Sequence, residues 1–277
     1  MTDTPESTGT AASDTAVPPA LADDLALALR LADDADALSM ARFRANDLHV
    51  ATKPDRTHVT DADQAVERAI RAGLAAERPA DGILGEEYGT TGDAARQWIV
   101  DPIDGTHNYE RGLPVWGTLI ALAVDGEPVV GVASAPALRK RWWAARGDGA
   151  WAQEAGAEPY RIRVSSIGNL ADASISFQSI RQWDEAGYLD RLVDLTRRVW
   201  RDRAYGDLWS YALLAEGLIE AVGEFGVHPY DVAALIPIVE EAGGRFTSVA
   251  GDAPLWDPNP LATNGVLHEQ VLAALAD

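Results

Sequence analysis

Apolar and polar positions alternate with different periods along this chain, and the period changes twice. Leu21, Leu25 and Leu29 open an i, i+4 stripe that predicts a helix reaching about Arg42. A second helix is predicted after Thr60, with Val66, Ile70 and Leu74 on one face and Thr60 or Asp61 as its cap. The middle of the chain then reads as successive strands: QWIVDPID, TLIALAVDG, EPVVGVASAP and RWWAARGDGAW. Asp125-Gly126 is a hairpin turn between two of them. After about Asp184 the period turns helical again, through Leu189, Leu192 and Val199. Further helices are expected over Leu208 to Val222 and over Asp231 to Ala242, the latter stopped by Gly243-Gly244. GRFTSV reads as a strand and VLHEQVLAALA as a closing helix. No internal repeat is visible. Helices, then strands, then mixed elements predict an α+β fold, a layered sandwich.

Residues 1–18 lack apolar periodicity and are rich in Thr, Ser, Ala, Asp and Pro, so a disordered tail is expected there. Residues 19–277 are expected to form one catalytic unit, with an N-terminal α+β half to about 150 and a C-terminal α/β half from 151. Hydrophobic residues make up 47% of the 277, enough for a substantial core. No apolar run reaches the length of a membrane span, and the first residues do not read as a secretory leader. With 0 cysteines, disulfides and thiolate metal sites are excluded, and a cytoplasmic location is the default expectation. The 43 acidic against 23 basic residues give a net charge of −20, which opposes nucleic acid and anionic membrane as partners. That charge also opposes an anionic substrate, unless bound cations reverse the local field.

The chemistry concentrates in WIVDPIDGTHNY, residues 98–109. An apolar strand ends at Asp101. Pro102 fixes its own φ and keeps Asp101 out of the helical region, so the chain turns sharply there. Asp101 and Asp104, three positions apart on such a turn, can converge on one point. Gly105 permits close backbone approach, and the N–H groups after it can face a phosphate. Hard divalent cations prefer this oxygen environment. The plainer reading is a strand-to-helix turn with Asp104 as a cap. Two further segments weigh against it: Gly85-Glu86-Glu87 upstream, and Tyr230-Asp231 at the start of a helix downstream.

Together WIVDPIDGTHNY, GEEYG and HPYDVAAL…EEAGG resemble, in order and spacing, the signature segments of the inositol monophosphatase-like superfamily of metal-dependent phosphatases. The resemblance runs from about residue 20 to the C-terminus. It implies the layered α/β sandwich of that sugar-phosphatase type, two to three Mg²⁺ ions per site, and a homodimer. It implies that Glu86, Asp101 and the Ile103 carbonyl hold a first Mg²⁺, and Asp101, Asp104 and Asp231 a second, with Glu86 touching a third through water. By the same resemblance Thr106, with Glu86, positions the attacking water, and Gly105 and Thr106 bind phosphate oxygens. Thr60-Asp61 matches the superfamily's upstream threonine–aspartate element, in which Asp61 accepts a hydrogen bond from Thr106. Glu87 is expected to support the site rather than ligate. Lys53 and Asp55 fall in a loop segment near it. His107, Tyr109 and Tyr230 depart from common family residues without removing a ligand. His228 reads as a packed histidine rather than a general acid. Pro237 falls inside a presumed helix, where it would cost roughly 3 kcal/mol, so a kink is expected.

SAPALRKRWWAARG and RAYGDLWSY, residues 134–147 and 203–211, are closer to the histidinol-phosphate phosphatase group of that superfamily, the actinobacterial type. The implied substrate is L-histidinol phosphate, a small phosphorylated metabolite of histidine biosynthesis, with inositol 1-phosphate or a broader sugar-phosphate range as the alternative. Asp207 and Glu224 are the candidate carboxylates for a cationic substrate, with Arg203 as a partner holding either in place. A non-catalytic metal-binding regulator would have lost a ligating carboxylate, and none is missing here.

Overall fold

The computed structural model describes residues 19–54, 57–92, 95–252 and 255–276, so the expected tail at 1–18 lies outside the described residues. The chain begins α1 (Pro19–Arg42), β1 (Val50–Thr52), β2 (His58–Thr60), α2 (Asp61–Glu77), β3 (Gly82–Gly85), β4 (Gly89–Thr91), β5 (Arg96–Asp104) and α3 (Thr106–Glu110). It continues β6 (Gly117–Val124), β7 (Glu127–Ala135), β8 (Lys140–Ala145), β9 (Gly149–Glu154), β10 (Tyr160–Arg161), β11 (Ser174–Phe177), α4 (Ile180–Glu185) and α5 (Leu189–Thr196). It closes β12 (Arg201–Arg203), α6 (Asp207–Ala215), β13 (Ala221–Gly223), α7 (Pro229–Val232), α8 (Leu235–Glu241), β14 (Arg245–Ser248), β15 (Pro260–Thr263) and α9 (His268–Leu275).

Two sheets carry the architecture. The larger has eight strands in the order β10-β9-β8-β7-β6-β5-β3-β4, antiparallel except where β3 runs parallel to β5. The smaller has five strands in the order β12-β11-β13-β15-β14. The larger sheet takes strands up to Arg161, so the change of sheet falls after that residue and not at 150.

TLIALAV reads as a continuous apolar run because both faces of β6 are covered. Ile120 and Leu122 face α1 and α2, in one core with Leu27, Leu31, Ile70 and Leu74. Leu119, Ala121 and Ala123 face the other way, into a core shared with α6 and α8. Beyond those helices lies the smaller sheet. Its outer face packs Ile175 and Leu261 against Leu192, Leu195 and Val271 of α5 and α9. The order is therefore helix, sheet, helix, sheet, helix: the α+β layered sandwich that the periodicity predicts.

The middle layer places the site. The inner face of the larger sheet is lined with alanine at 121, 123, 133, 135, 144, 150 and 152, which lets the helices come close. At Gly131 a Cβ would stand 2.1 Å from the Ala234 carbonyl oxygen and 2.8 Å from the Pro237 ring. Only a glycine admits the start of α8 at that distance, and that approach carries Asp231 toward the end of β5.

Two predicted helices differ from what forms. The helix expected over Leu208 to Val222 stops at Ala215, because Gly217 turns the chain at φ 74° and Val222 goes into the centre of the smaller sheet. The helix expected over Asp231 to Ala242 is two helices, broken at Ala233 and Ala234. Ala233 holds the carbonyl that a Pro237 N–H would have used. The break makes Pro237 the third residue of a new helix, where an N–H has no helical partner. Proline there costs little.

Candidate active site

Strand β5 breaks register at the point the sequence marks. Asp101 pairs with Leu119, but Asp104 pairs with Gly117, so one extra residue bulges out of β5. The Asp101 Oδ1 accepts the Ile103 N–H at 3.0 Å and locks the bulge. Gly105 follows at φ 82°, a conformation glycine adopts without strain. Asn108 and Tyr109 N–H groups return to the Gly105 carbonyl at 2.9 and 3.0 Å, starting α3. The N–H groups of Thr106 and His107, in its first turn, precede the helical ladder.

Asp101, Asp104 and Asp231 each bring a carboxylate oxygen within 4.8 Å of the others. The Asp104 Oδ2 accepts the Leu208 N–H at 2.6 Å, at the start of α6. The Asp231 Oδ2 accepts the His228 N–H at 2.6 Å. His228 itself is exposed, and its ring stacks on Tyr230 at 5.1 Å. Among the described residues no Lys or Arg stands at ion-pair distance from any of the three aspartates. Burial first, then Glu86, Asp104 and Asp231, holds the Asp101 carboxyl well above its ordinary range. Burial, then Asp207 and Asp231, does the same to Asp104. Burial brings Asp231 to about 7, opposed by its His228 hydrogen bond. An all-oxygen cluster of crowded carboxylates without a cation fits a hard divalent ion.

Glu86 stands at the same cleft, on a loop held from behind. Buried Glu67 accepts the Glu87 and Tyr88 N–H groups at 2.7 and 3.2 Å. Lys53 reaches in and pairs with both Glu86 and Glu87 at 2.7 Å. Burial works against the lysine's charge, but those two carboxylates win and its pKa is raised. Burial lifts Glu87 to about 7 against the Lys53 hydrogen bond. Asp55 lies outside the described residues.

The upstream aspartate that meets Thr106 is Asp63, not Asp61. The Asp61 Oδ2 pairs with Arg42 at 2.7 Å, on a partly exposed surface. Thr60 and Asp63 instead close a capping box on α2: the Thr60 hydroxyl oxygen accepts the Asp63 N–H, and Asp63 Oδ2 accepts the Thr60 N–H at 2.8 Å. The Asp63 Oδ1 then lies 3.3 Å from the Thr106 hydroxyl, which also has the Ile103 carbonyl at 3.1 Å. Burial raises Asp63 to about 6. The spacing Thr60-x-x-Asp63 is the signal that names this residue in the sequence.

A cleft of about 290 Å³ gathers Glu86, Asp101, Ile103, Asp104, Gly105, Thr106, Asp207, Glu224 and Asp231. Arg203 is not among its residues. It is exposed on β12, at the edge of the smaller sheet, and donates to the Asp202 carbonyl, so it braces neither Asp207 nor Glu224. Polar amides do that work for Asp207. Asn108 Nδ2 donates to its Oδ2 at 2.7 Å and Gln178 Nε2 to its Oδ1 at 3.1 Å, while its own N–H donates to the Gln178 Oε1. The side chain does not cap α6. Gln178 follows directly after β11, a strand the periodicity does not reveal because SISF is too short to show alternation. Glu224 is buried beside Tyr211, with its Oε1 unpaired, and burial brings its carboxyl to about 8.

The model of the Inositol monophosphatase family matches residues 21–277. The chain is 56% identical over 254 residues to the histidinol-phosphatase of Mycobacterium tuberculosis, covering 91% of this chain and 98% of that one. It is 49% identical over 257 residues to the histidinol-phosphatase of Streptomyces coelicolor, covering 91% and 97%. Among solved structures, the extragenic suppressor protein suhB of Bartonella henselae superposes with a TM-score of 0.84 at 29% identity, over 92% of this chain and 99% of that one. A match of this extent, with the carboxylates of the three sequence segments meeting in one cleft, establishes that the chain belongs to the inositol monophosphatase family.

Proposed function

We propose that this chain is a Mg²⁺-dependent phosphomonoesterase that hydrolyses L-histidinol phosphate to L-histidinol and phosphate. The observation that carries the substrate reading is the pair Asp207 and Glu224. Both are carboxylates in the cleft beyond the Asp101–Asp104–Asp231 cluster, and neither has a Lys or Arg at ion-pair distance among the described residues. An alcohol bearing an ammonium and an imidazole can pair with both carboxyls there, and its positive charge draws them into the ionised form that burial opposes; an inositol offers only hydroxyls. The relatives at 56% and 49% identity carry the matching name. No helix among the described residues is long and apolar enough to cross a membrane. A cytoplasmic homodimer belongs to the same proposal, and light scattering reads its oligomeric part.

In this proposal Glu86, Asp101, Asp104, Asp231 and the Ile103 carbonyl hold two to three Mg²⁺ ions. Bound there, the ions supply Lewis acidity, lower the pKa of water and offset the charge of the departing alkoxide. The protein's own part is orientation. Thr106, backed by Asp63, accepts and aligns the attacking water. The N–H groups after Gly105 donate to phosphate oxygens and fix the phosphorus in line. Asp207, held by Asn108 and Gln178, and Glu224 orient the amino end of the alcohol. The water oxygen bonds to phosphorus, the P–O ester bond breaks, and the alcohol leaves with a proton.

The test compares kcat/KM for histidinol phosphate and inositol 1-phosphate in Mg²⁺. A ratio well above one is expected, and a ratio at or below one overturns the substrate. Glu224→Gln and Asp207→Asn should raise KM for histidinol phosphate by roughly 10- to 150-fold, the loss of a charged hydrogen bond. Hydrolysis of a neutral-alcohol phosphate should change little in either variant.

A further inference from the structure

A second cluster of ligand-type side chains stands at the mouth of the cleft, and its chemistry differs from the first. His107 and Glu110 lie three residues apart on α3, so they share a face of the helix. His58 reaches them from β2. Its Nδ1 sits 2.7 Å from one Glu110 oxygen, and the His107 Nδ1 sits 3.7 Å from the other. The two imidazoles meet edge to face at 4.9 Å. One ligand atom from each residue falls within 4.8 Å of the others. Among the described residues the partners of Glu110 at ion-pair distance are these two imidazoles.

We infer that His58, His107 and Glu110 form a separate site for a borderline-soft divalent cation of the zinc class. Two imidazoles and one carboxylate are a donor set that favours such ions over Mg²⁺. A tetrahedral ion with bonds of about 2.0–2.1 Å sets its ligand atoms roughly 3.3 Å apart. The His58 contact at 2.7 Å would open slightly and the His107 contact at 3.7 Å would close slightly, both within side-chain rotation. His107 is exposed and His58 and His107 line the cleft, so the position is reachable from solvent. Three protein ligands leave a fourth coordination position. The ion would tie α3, which begins at Thr106, to β2, which leads directly into α2 and Asp63, and so fix the spacing of Thr106 and Asp63.

Zinc titrated into the protein under saturating Mg²⁺ tests this by X-ray absorption at the zinc edge and by bound zinc per chain in dialysis. The ligands proposed for the carboxylate site are all oxygen, so imidazole scattering that disappears with His58 and His107 reports the new site. The expected spectrum shows nitrogen scatterers with imidazole multiple scattering, lost in His58→Ala/His107→Ala along with one bound zinc. An oxygen-only spectrum, or zinc content and imidazole scattering unchanged in the double variant, overturns the site. Circular dichroism of the double variant checks its fold, and Glu110→Gln gives a second reading: imidazole scattering persists with weaker zinc binding. Unchanged zinc affinity in Glu110→Gln removes the carboxylate from the site.

Discussion

Asp24 and Asp101 are buried to the same degree, at 1% and 2% exposure, but their surroundings are opposite. Asp24, under the helical layer, receives Arg78 and Arg96, each at 2.8 Å. Glu67, on α2, is sealed as well, and takes Arg71 and two backbone N–H groups. Asp101 faces other carboxylates and receives one backbone N–H. Burying a charge is costly unless it is paired. The fold meets that cost beneath α1 and α2, and leaves it unmet at the end of β5. The difference separates acids that hold the structure from acids that wait for a cation.

The strongest way to break the comparison is to neutralise one acid of each kind. Asp101→Asn should reduce phosphatase turnover below detection while the protein stays folded. Its metal-free form should melt above metal-free wild type, because one member of a repelling cluster has gone. Asp24→Asn should do the reverse: turnover of the folded protein near wild type, and stability lower by about 1–3 kcal/mol as two arginines lose their partner. A metal-free Asp101→Asn that melts lower than wild type would remove the repulsion argument.

Thr106→Ala should lower kcat by about 10²–10³ with KM changed far less, since alignment of the water matters mainly in the transition state. Asp63→Asn should act in the same direction more mildly. Asp61→Asn, which loses a partly exposed Arg42 pair, should leave kcat near wild type. A large kcat loss in Asp61→Asn with none in Asp63→Asn would reverse the assignment.

The acids of the cleft also give a pH signature. Burial lifts Asp231 from an ordinary 3.8 to about 7 and Glu224 from 4.5 to about 8. The unfolded chain releases these protons near pH 4, whereas the folded chain keeps them until 7 or 8. The unfolded state therefore binds fewer protons in that window, and metal-free stability falls as pH rises through it. His268 acts oppositely. Burial lowers its pKa from 6.5 to about 4, so its contribution is lost as pH falls below 6.5. The clean window is above that value. In chelator, the melting temperature should drop from pH 6.5 to 8. With excess Mg²⁺ holding Asp231 ionised, the drop should shrink to the share that Glu224 contributes. A rise in chelator over the same range would contradict the burial argument.

How far the sequence shows this contrast follows from the range of each interaction. The helical layer, the central strands and the Asp101–Asp104 turn are local, and their periods and spacing show directly. Asp61 stood in for Asp63 because adjacency to Thr60 looks the same on paper as a hydrogen bond; only the capping-box spacing distinguishes them. Arg203 looks well placed beside AYGD, but β12 turns it outward at a sheet edge. Gln178, which braces Asp207, lies 29 residues away, beyond two helices and a strand. The pairing of Asp24 with Arg78 and Arg96 spans 54 and 72 positions, and no local pattern encodes it.

Lys53 stands between the two kinds of acid, and its removal gives the smallest and sharpest test. It is paired like the arginines of the helical layer, yet one of its partners, Glu86, is proposed to hold metal. In the metal-free protein it acts as a tethered cation on Glu86 and Glu87. Lys53→Met removes that competitor and makes the local field more negative, so Mg²⁺ should reach half-maximal activity at a concentration lower by roughly two- to tenfold. Loss of the buried pair leaves Glu87 unpartnered, so metal-free stability should fall by about 1–3 kcal/mol and recover as Mg²⁺ is added. If Lys53→Met instead needs more Mg²⁺, the lysine positions Glu86 for the ion rather than competing with it.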